Sequence, residues 1–261
     1  MEKILMSNIY KAFSNGKAFI PFITCGDPTL EVTEKIIYEM VENGADLIEL
    51  GIPFSDPIAE GIVIQSANKR ALENGVTTDK IFCMLESVRK KTSIPIVFMT
   101  YANVIFSYGR EDFMKNANSL LIDGIILPDV PYEEKNEFES FCKKYNMDII
   151  SFIAPTSKNR IHTIAQNASG FLYCVSSLGV TGIRDNISTN ILDIINVAKR
   201  STKIPIAVGF GIKTPLQAKQ VSKYADGVIV GSAIVKLCEK YGNDCIKHIG
   251  LYIREMKSAI I

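Results

Sequence analysis

Eight short apolar runs, separated by longer amphipathic stretches, set the pattern of this 261-residue chain. Each run mostly lacks polar alternation, which is typical of strands buried on both faces of a parallel sheet. We place these predicted strands at residues 18–24, 47–50, 96–99, 124–127, 149–154, 171–175, 204–208 and 227–230.

The stretches between the runs have helical spacing. The first follows Asp27-Pro28-Thr29, which offers capping residues, and keeps Val32 and Ile36 on one apolar face. Further helices are predicted at 81–90, 111–117, 133–145, 159–167, 189–198, 215–223 and 246–257, with an extra N-terminal helix at 3–13. Strands alternating with helices over this length predict an α/β fold of the (β/α)8 TIM-barrel type, as a single domain spanning residues 1–261.

Composition limits the partners, the location and the chemistry that we expect of this chain. A net charge of +1 gives no electrostatic reason to expect nucleic acid or a membrane as partner. The N-terminus has no signal-peptide pattern, so we expect a cytoplasmic protein. The 6 cysteines contain no C-x-x-C pair, which argues against a zinc site and favours small buried side chains. With only 2 histidines, acid–base chemistry is expected from carboxylates.

Glycines follow the last two predicted strands. Gly209 and Gly211 follow the seventh strand, and Gly231-Ser232 follows the eighth. Backbone N–H groups can approach an anion closely at such glycines, and Ser232 could cap a helix whose N-terminus faces a phosphate. These loops are the usual phosphate site of a barrel, so we predict phosphate binding here, with two ordinary tight turns as the alternative.

A carboxylate lies inside the second apolar run. Glu49 is flanked by apolar residues near the C-terminal end of that predicted strand, and burial should raise its pKa into the range of a proton carrier. A structural Glu bonded to neighbouring groups is the equally weighted alternative. The loop that follows adds Asp56 and Glu60, each of which could also be simply solvated. A glycine-punctuated segment at 176–184 predicts a lid, or else a disordered connection.

These motifs together resemble the tryptophan synthase alpha chain family. Residues 47–61 read LIELGIPFSDPIAEG, and residues 17–29 read KAFIPFITCGDPT, which is similar to the first strand and loop of that family. Further matches follow in order at 100–103, 129–131, 179–182, 208–212 and 231–232, so the resemblance extends from about residue 10 to about residue 240.

The resemblance implies retro-aldol cleavage of indole-3-glycerol phosphate to indole and glyceraldehyde 3-phosphate. Glu49 would be the main acid/base residue, and Glu60 the second carboxylate, which contacts the indole N–H. The remaining matched positions are Phe22 and Tyr173 near the indole, Thr181 on the lid, and Gly182, Gly211, Gly231 and Ser232 at the phosphate. Together with Phe22, the indole pocket is expected to be lined by Ile64, Met99, Leu127 and Ile153.

The same resemblance implies no cofactor or metal in this chain and a partner β subunit that holds pyridoxal phosphate in an α2β2 complex. Residues 53–57 and 101–103 would face that partner. This sequence departs from the commonest pattern because the second carboxylate is often Asp, followed by Gly-Pro, whereas here it is Glu60-Gly61-Ile62. Three alternatives remain: a sugar-phosphate epimerase or isomerase, which would share the phosphate end of the barrel, a catalytically silent partner of the β subunit, to which only Glu60 points, and a free-standing indole-releasing lyase.

Overall fold

The computed structural model describes residues 8–157, 160–175, 189–209 and 211–260. The strands in these ranges are β1 Ala18–Thr24, β2 Ile48–Gly51, β3 Ile96–Met99, β4 Gly124–Ile126, β5 Asp148–Ile149, β6 Ser151–Ile153, β7 Leu172–Val175, β8 Ile206–Gly209 and β9 Gly227–Val230. The helices are α1 Ile9–Ala12, α2 Leu30–Glu42, α3 Ile62–Glu73, α4 Thr78–Arg89, α5 Ala102–Tyr108, α6 Arg110–Ser119, α7 Asn136–Lys144, α8 Ile161–Gln166, α9 Thr189–Ser201, α10 Pro215–Ser222, α11 Ser232–Tyr241 and α12 Cys245–Ala259.

The strands form one parallel sheet that closes on itself. Its order is β5-β4-β3-β2-β1-β9-β8-β7-β6, and β5 and β6 are separated in sequence by Ile150 alone. The Ile150 N–H donates to the Ile125 carbonyl at 2.9 Å, next to the β4–β5 ladder, while β6 pairs with β7. One chain segment therefore links both ends of the sheet and occupies a single barrel position, which confirms the predicted (β/α)8 barrel.

The structure differs from the sequence-based predictions at three elements. The predicted strand at 149–154 is split in two because the segment leaves β4 and joins β7 at Ile150. Helices α3 and α5 were missed. The apolar face of α3, which includes Ile64, Ala67 and Ala71, is interrupted by a buried asparagine, Asn68, so its helical spacing is weak in sequence.

Apolar side chains form two layers around the barrel wall. On β1, Ile20 and Phe22 belong to the core inside the barrel, whereas Phe19 and Ile23 belong to the core between the strands and the helices. All seven residues of β1 are buried, as expected for a strand covered on both faces. The alternation decides which strand residues can reach a site at the open end of the barrel.

Helix α1 covers the N-terminal end of the barrel. Its Ile9 is fully buried in the inner core, and the Phe13 ring lies 5.9 Å from the Phe171 ring. This is the part of the predicted helix at 3–13 that the structure describes, since residues 1–7 lie outside it. Across the described ranges, the helices are too short or too polar to cross a membrane.

Candidate active site

Glu49 lies inside the barrel, on β2. It is 1% exposed, and its register neighbours are Phe22 on β1 and Val97 on β3. Among the described residues, no hydrogen-bond partner reaches its Oε2 atom. Burial, and secondarily the negative charge of Glu60, raise the pKa of Glu49 to about 8. The side chain is therefore mostly protonated at neutral pH and can act as an acid.

Glu60 lies in the loop between β2 and α3, and its negative charge contributes to the raised pKa of Glu49. Its Oε2 atom accepts a 2.6 Å hydrogen bond from the Asn68 side-chain amide, and its carbonyl accepts one of 2.8 Å from the Gln65 side chain. Burial raises the pKa of Glu60 to about 7, outweighing the Asn68 bond, which lowers it. Two neighbouring carboxyl groups whose pKa values are both raised can divide acid and base roles near neutral pH.

The loop that carries Glu60 is held by an aromatic contact. The Ala59 N–H donates to the Tyr101 hydroxyl at 3.2 Å, and the Phe54 ring stacks on the Tyr101 ring at 5.1 Å. The Asp129 carboxylate in turn accepts the Ala102 N–H at 3.0 Å, at the start of α5. Side chains at the ends of β3 and β4 therefore fix the position of the β2 loop.

Phe22 on β1 and Tyr173 on β7 lie on the strands that flank β9 and β8, whose ends carry the predicted phosphate residues. A Cβ atom on Gly51 would lie 2.7 Å from the Phe22 ring, and one on Gly231 would lie 3.2 Å from it. A Cβ atom on Gly209 would lie 2.6 Å from the Tyr173 hydroxyl. Burial, and secondarily the charge of Glu49, raise the pKa of Tyr173 well above its usual range, so it is a neutral hydroxyl close to the acid.

The predicted phosphate residues lie at adjacent strand ends. Gly211 follows β8 with a φ of +80°, a conformation that favours glycine, and Gly231 is the residue before α11. Gly231 occupies the N-cap position of α11 and Ser232 is the first residue inside the helix, so the expectation that Ser232 caps this helix is wrong. The first-turn N–H groups of a helix lack intrahelical partners, which suits an anion. Thr181 and Gly182 lie outside the described residues.

A mostly apolar cavity of about 530 Å³ opens at the C-terminal ends of β3, β4, β6 and β7. Met99 and Leu127 line it, as predicted, and Phe152 lines it in place of Ile153. The expectation for Ile153 is wrong because strand alternation turns it into the outer core, where it is 0% exposed. Phe22 and Ile64 lie in the inner core beside the cavity rather than on its wall.

Sequence reasoning missed one polar side chain of this site. Asn68 is 3% exposed and contacts Glu60, yet the missed helix α3 hid its position. The available signal was an asparagine at helical spacing from Ile64 and Ala71, on a face that is otherwise apolar. Within the described ranges, no group of three or more His, Cys, Asp and Glu side chains could hold a metal ion.

The fold and the site define a class of protein: a (β/α)8 barrel with a buried acid and a neighbouring carboxylate at the C-terminal ends of its strands, where barrel enzymes carry their chemistry. The family described as Tryptophan synthase alpha chain matches residues 10–260. The chain belongs to this tryptophan synthase alpha chain family.

Individual relatives agree over nearly the whole length. The tryptophan synthase alpha chain of Lacticaseibacillus casei is 45% identical over 257 residues, covering 98% of this chain and 97% of that one. The crystal structure of the alpha subunit of Legionella pneumophila str. Paris has a TM-score of 0.89 at 37% identity, covering 98% of each chain. A structure from the Pyrococcus furiosus tryptophan synthase a2b2 complex has a TM-score of 0.86 at 34% identity, covering 93% of this chain and 99% of that one.

Proposed function

We propose that this chain catalyses the retro-aldol cleavage of indole-3-glycerol phosphate to indole and glyceraldehyde 3-phosphate. The observation that carries the proposal is the carboxyl pair: Glu49, with a pKa of about 8, beside Glu60, with a pKa of about 7. Near neutral pH the first can donate a proton while the second can accept a hydrogen bond. Cleavage of a C–C bond to an indole ring needs both actions at once.

The steps balance with these two groups. Protonated Glu49 delivers its proton to C3 of the indole ring. The Glu60 carboxylate accepts a hydrogen bond from the ring N–H and stabilises the positive charge that develops there. The glycerol C3′ hydroxyl then gives its proton to Glu49 as the bond between C3 and C3′ breaks. The bonding electrons return to the ring, which leaves as indole, and an aldehyde forms at C3′. Glu49 ends protonated again, ready for the next cycle.

The phosphate would orient the substrate. We assign this role to the backbone N–H groups around Gly211, Gly231 and Ser232, at the ends of β8 and β9. Phe22 and Tyr173 would contact the indole ring and Glu49, between the carboxylates and the proposed phosphate position. Thr181 and Gly182 would complete the site from the lid segment.

The partner is proposed by family membership. The Pyrococcus furiosus relative is described as part of a tryptophan synthase a2b2 complex, so we propose that this chain also pairs with a β subunit, which would hold the pyridoxal phosphate. This chain would need no cofactor or metal of its own. Residues 53–57 and 101–103, whose Phe54 and Tyr101 rings stack, would face that subunit.

The test is an indole-release assay. The purified chain is incubated with indole-3-glycerol phosphate, alone and with added tryptophan synthase β subunit, and indole and glyceraldehyde 3-phosphate are quantified separately. We expect equal amounts of both products, with slow release by the chain alone and faster release with the β subunit. Fast release without the β subunit would indicate a free-standing lyase. Bound substrate with no turnover in either condition would contradict the proposal and indicate a silent partner barrel.

A further inference from the structure

Asn68 is a buried polar side chain on the inner face of α3. It is 3% exposed and lies among the apolar residues Ile64, Ala67 and Ala71. A buried amide is costly unless its hydrogen bonds are made. Its Nδ2 atom donates to Glu60 Oε2 at 2.6 Å, so one of these hydrogen bonds is made to the second carboxyl group of the site.

The orientation of this amide follows from charge. An ionised carboxylate can only accept hydrogen bonds, so the NH2 group of Asn68, and not its carbonyl, must face Glu60. This bond occupies Oε2. The hydrogen bonds among the described residues leave Glu60 Oε1 available to a ligand.

Helix α3 is a rigid base for this donor. Arg70 donates through Nε and Nη2 to the two carboxylate oxygens of Asp27, each at 2.8 Å, and Asp27 is 2% exposed. At the end of the helix, the Asn74 side chain donates to the Pro28 carbonyl at 2.7 Å. Both contacts fasten α3 to the loop after β1. Glu60, by contrast, is on the loop before α3. This loop joins the helix at Gly61, where a Cβ atom would meet no other atom within 4 Å.

We propose that Asn68 is the positioning residue of Glu60: its amide, held on α3, orients the carboxylate so that Oε1 meets the substrate N–H. This inference rests on the proposed function and extends it to a residue outside the two carboxylates. Glu60 has a longer side chain than the Asp that is often found at this position. The longer side chain has one more rotatable bond to order, and a fixed helical donor restricts it.

Within the described part of the chain, the charge of Glu60 raises the pKa values of two other side chains. Among the described residues, Glu49 on β2 and Tyr101 before α5 are the titratable side chains whose pKa values it raises, and Asn68 itself is neutral. Since the Asn68 bond lowers the pKa of Glu60 while burial raises it, loss of the bond should make Glu60 titrate at higher pH.

The test compares Asn68→Leu and Asn68→Ala with the wild type and with Asn118→Leu, which changes an exposed asparagine on α6. We expect kcat for indole release to fall about tenfold to a hundredfold in Asn68→Leu, with KM changed by only a few-fold, because the carboxylate is displaced in the transition state. The acid limb of the pH–rate profile should move to higher pH. In a Glu60→Gln background the same substitution should have almost no further effect, whereas Asn118→Leu should leave rate and profile unchanged.

A second readout does not depend on turnover. ¹³C-carboxyl NMR titration without substrate should show Glu60 titrating at higher pH in Asn68→Leu, and in Asn68→Ala, which removes the amide without adding a charge, if the Leu variant does not fold. An unchanged Glu60 titration, or equal rate losses in the wild-type and Glu60→Gln backgrounds, would overturn the positioning role. Absence of wild-type turnover beside a shifted titration would instead count against the proposed function alone.

Discussion

Replacing Glu49 with Gln should lower kcat for indole release by about 10²- to 10⁴-fold, the range expected for loss of a general acid–base residue. Gln has nearly the same shape as Glu and fits the same buried position, but it has no proton to deliver to a ring carbon. Because Glu49 is buried and mostly neutral near pH 7, the substitution leaves little change in buried charge. We therefore expect similar thermal unfolding and similar binding of indolepropanol phosphate, which cannot be cleaved.

The matched control is Glu73→Gln, which changes an exposed glutamate on α3. It should leave the rate at the wild-type value. If Glu49→Gln retained more than about a tenth of wild-type kcat, the proton would have to come from another group, and the assignment of the acid would be wrong.

Replacing Ser232 with Asp should raise KM for indole-3-glycerol phosphate by about a hundredfold, since like charges in contact cost several kcal/mol. Ser232 is the first residue of α11, at the proposed phosphate position. Asp at a helix N-terminus is itself favourable to the helix. The variant should therefore be as stable as the wild type, or slightly more stable, while its substrate affinity is lost.

The control places the same charge at the same position of another helix. Thr78 is the first residue of α4, so Thr78→Asp repeats the change away from the ends of β8 and β9. It should leave KM unchanged. Steady-state kinetics with thermal unfolding decides the case: an unchanged KM in Ser232→Asp would mean that the phosphate binds elsewhere.

The barrel was predictable because its strands are buried on both faces and so appear in sequence as uninterrupted apolar runs. β1, β3 and β9 have the predicted bounds. The Thr29 cap was also predictable, and its side chain accepts the Val32 N–H at 3.2 Å. The break at Ile150 was not, because it depends on which strands pair on either side, and pairing is set by closure of the whole sheet.

A site residue could be predicted where its own type and its sequence neighbours together indicate its chemistry. A carboxylate in an apolar strand indicates a perturbed pKa, and Glu49 has one. Which face a strand residue takes is harder to predict. Ile153 and Phe152 differ by one position, yet one faces the helices and the other the cavity. Asn68 was hidden for a related reason, since its role requires α3 to be recognised first.

The central claim is that Glu49 and Glu60 work in opposite protonation states, and the pH dependence of kcat/KM for indole release tests it most directly. Glu60 must be ionised, so the rate should rise with pH through about 7, and Glu49 must be protonated, so the rate should fall through about 8. The two apparent values belong to the interacting pair. The substrate phosphate titrates near pH 6, below both limbs. We expect a narrow maximum of kcat/KM between about pH 7 and 8. A rate that continues to rise above pH 9, or that is equally high at pH 5, would contradict it.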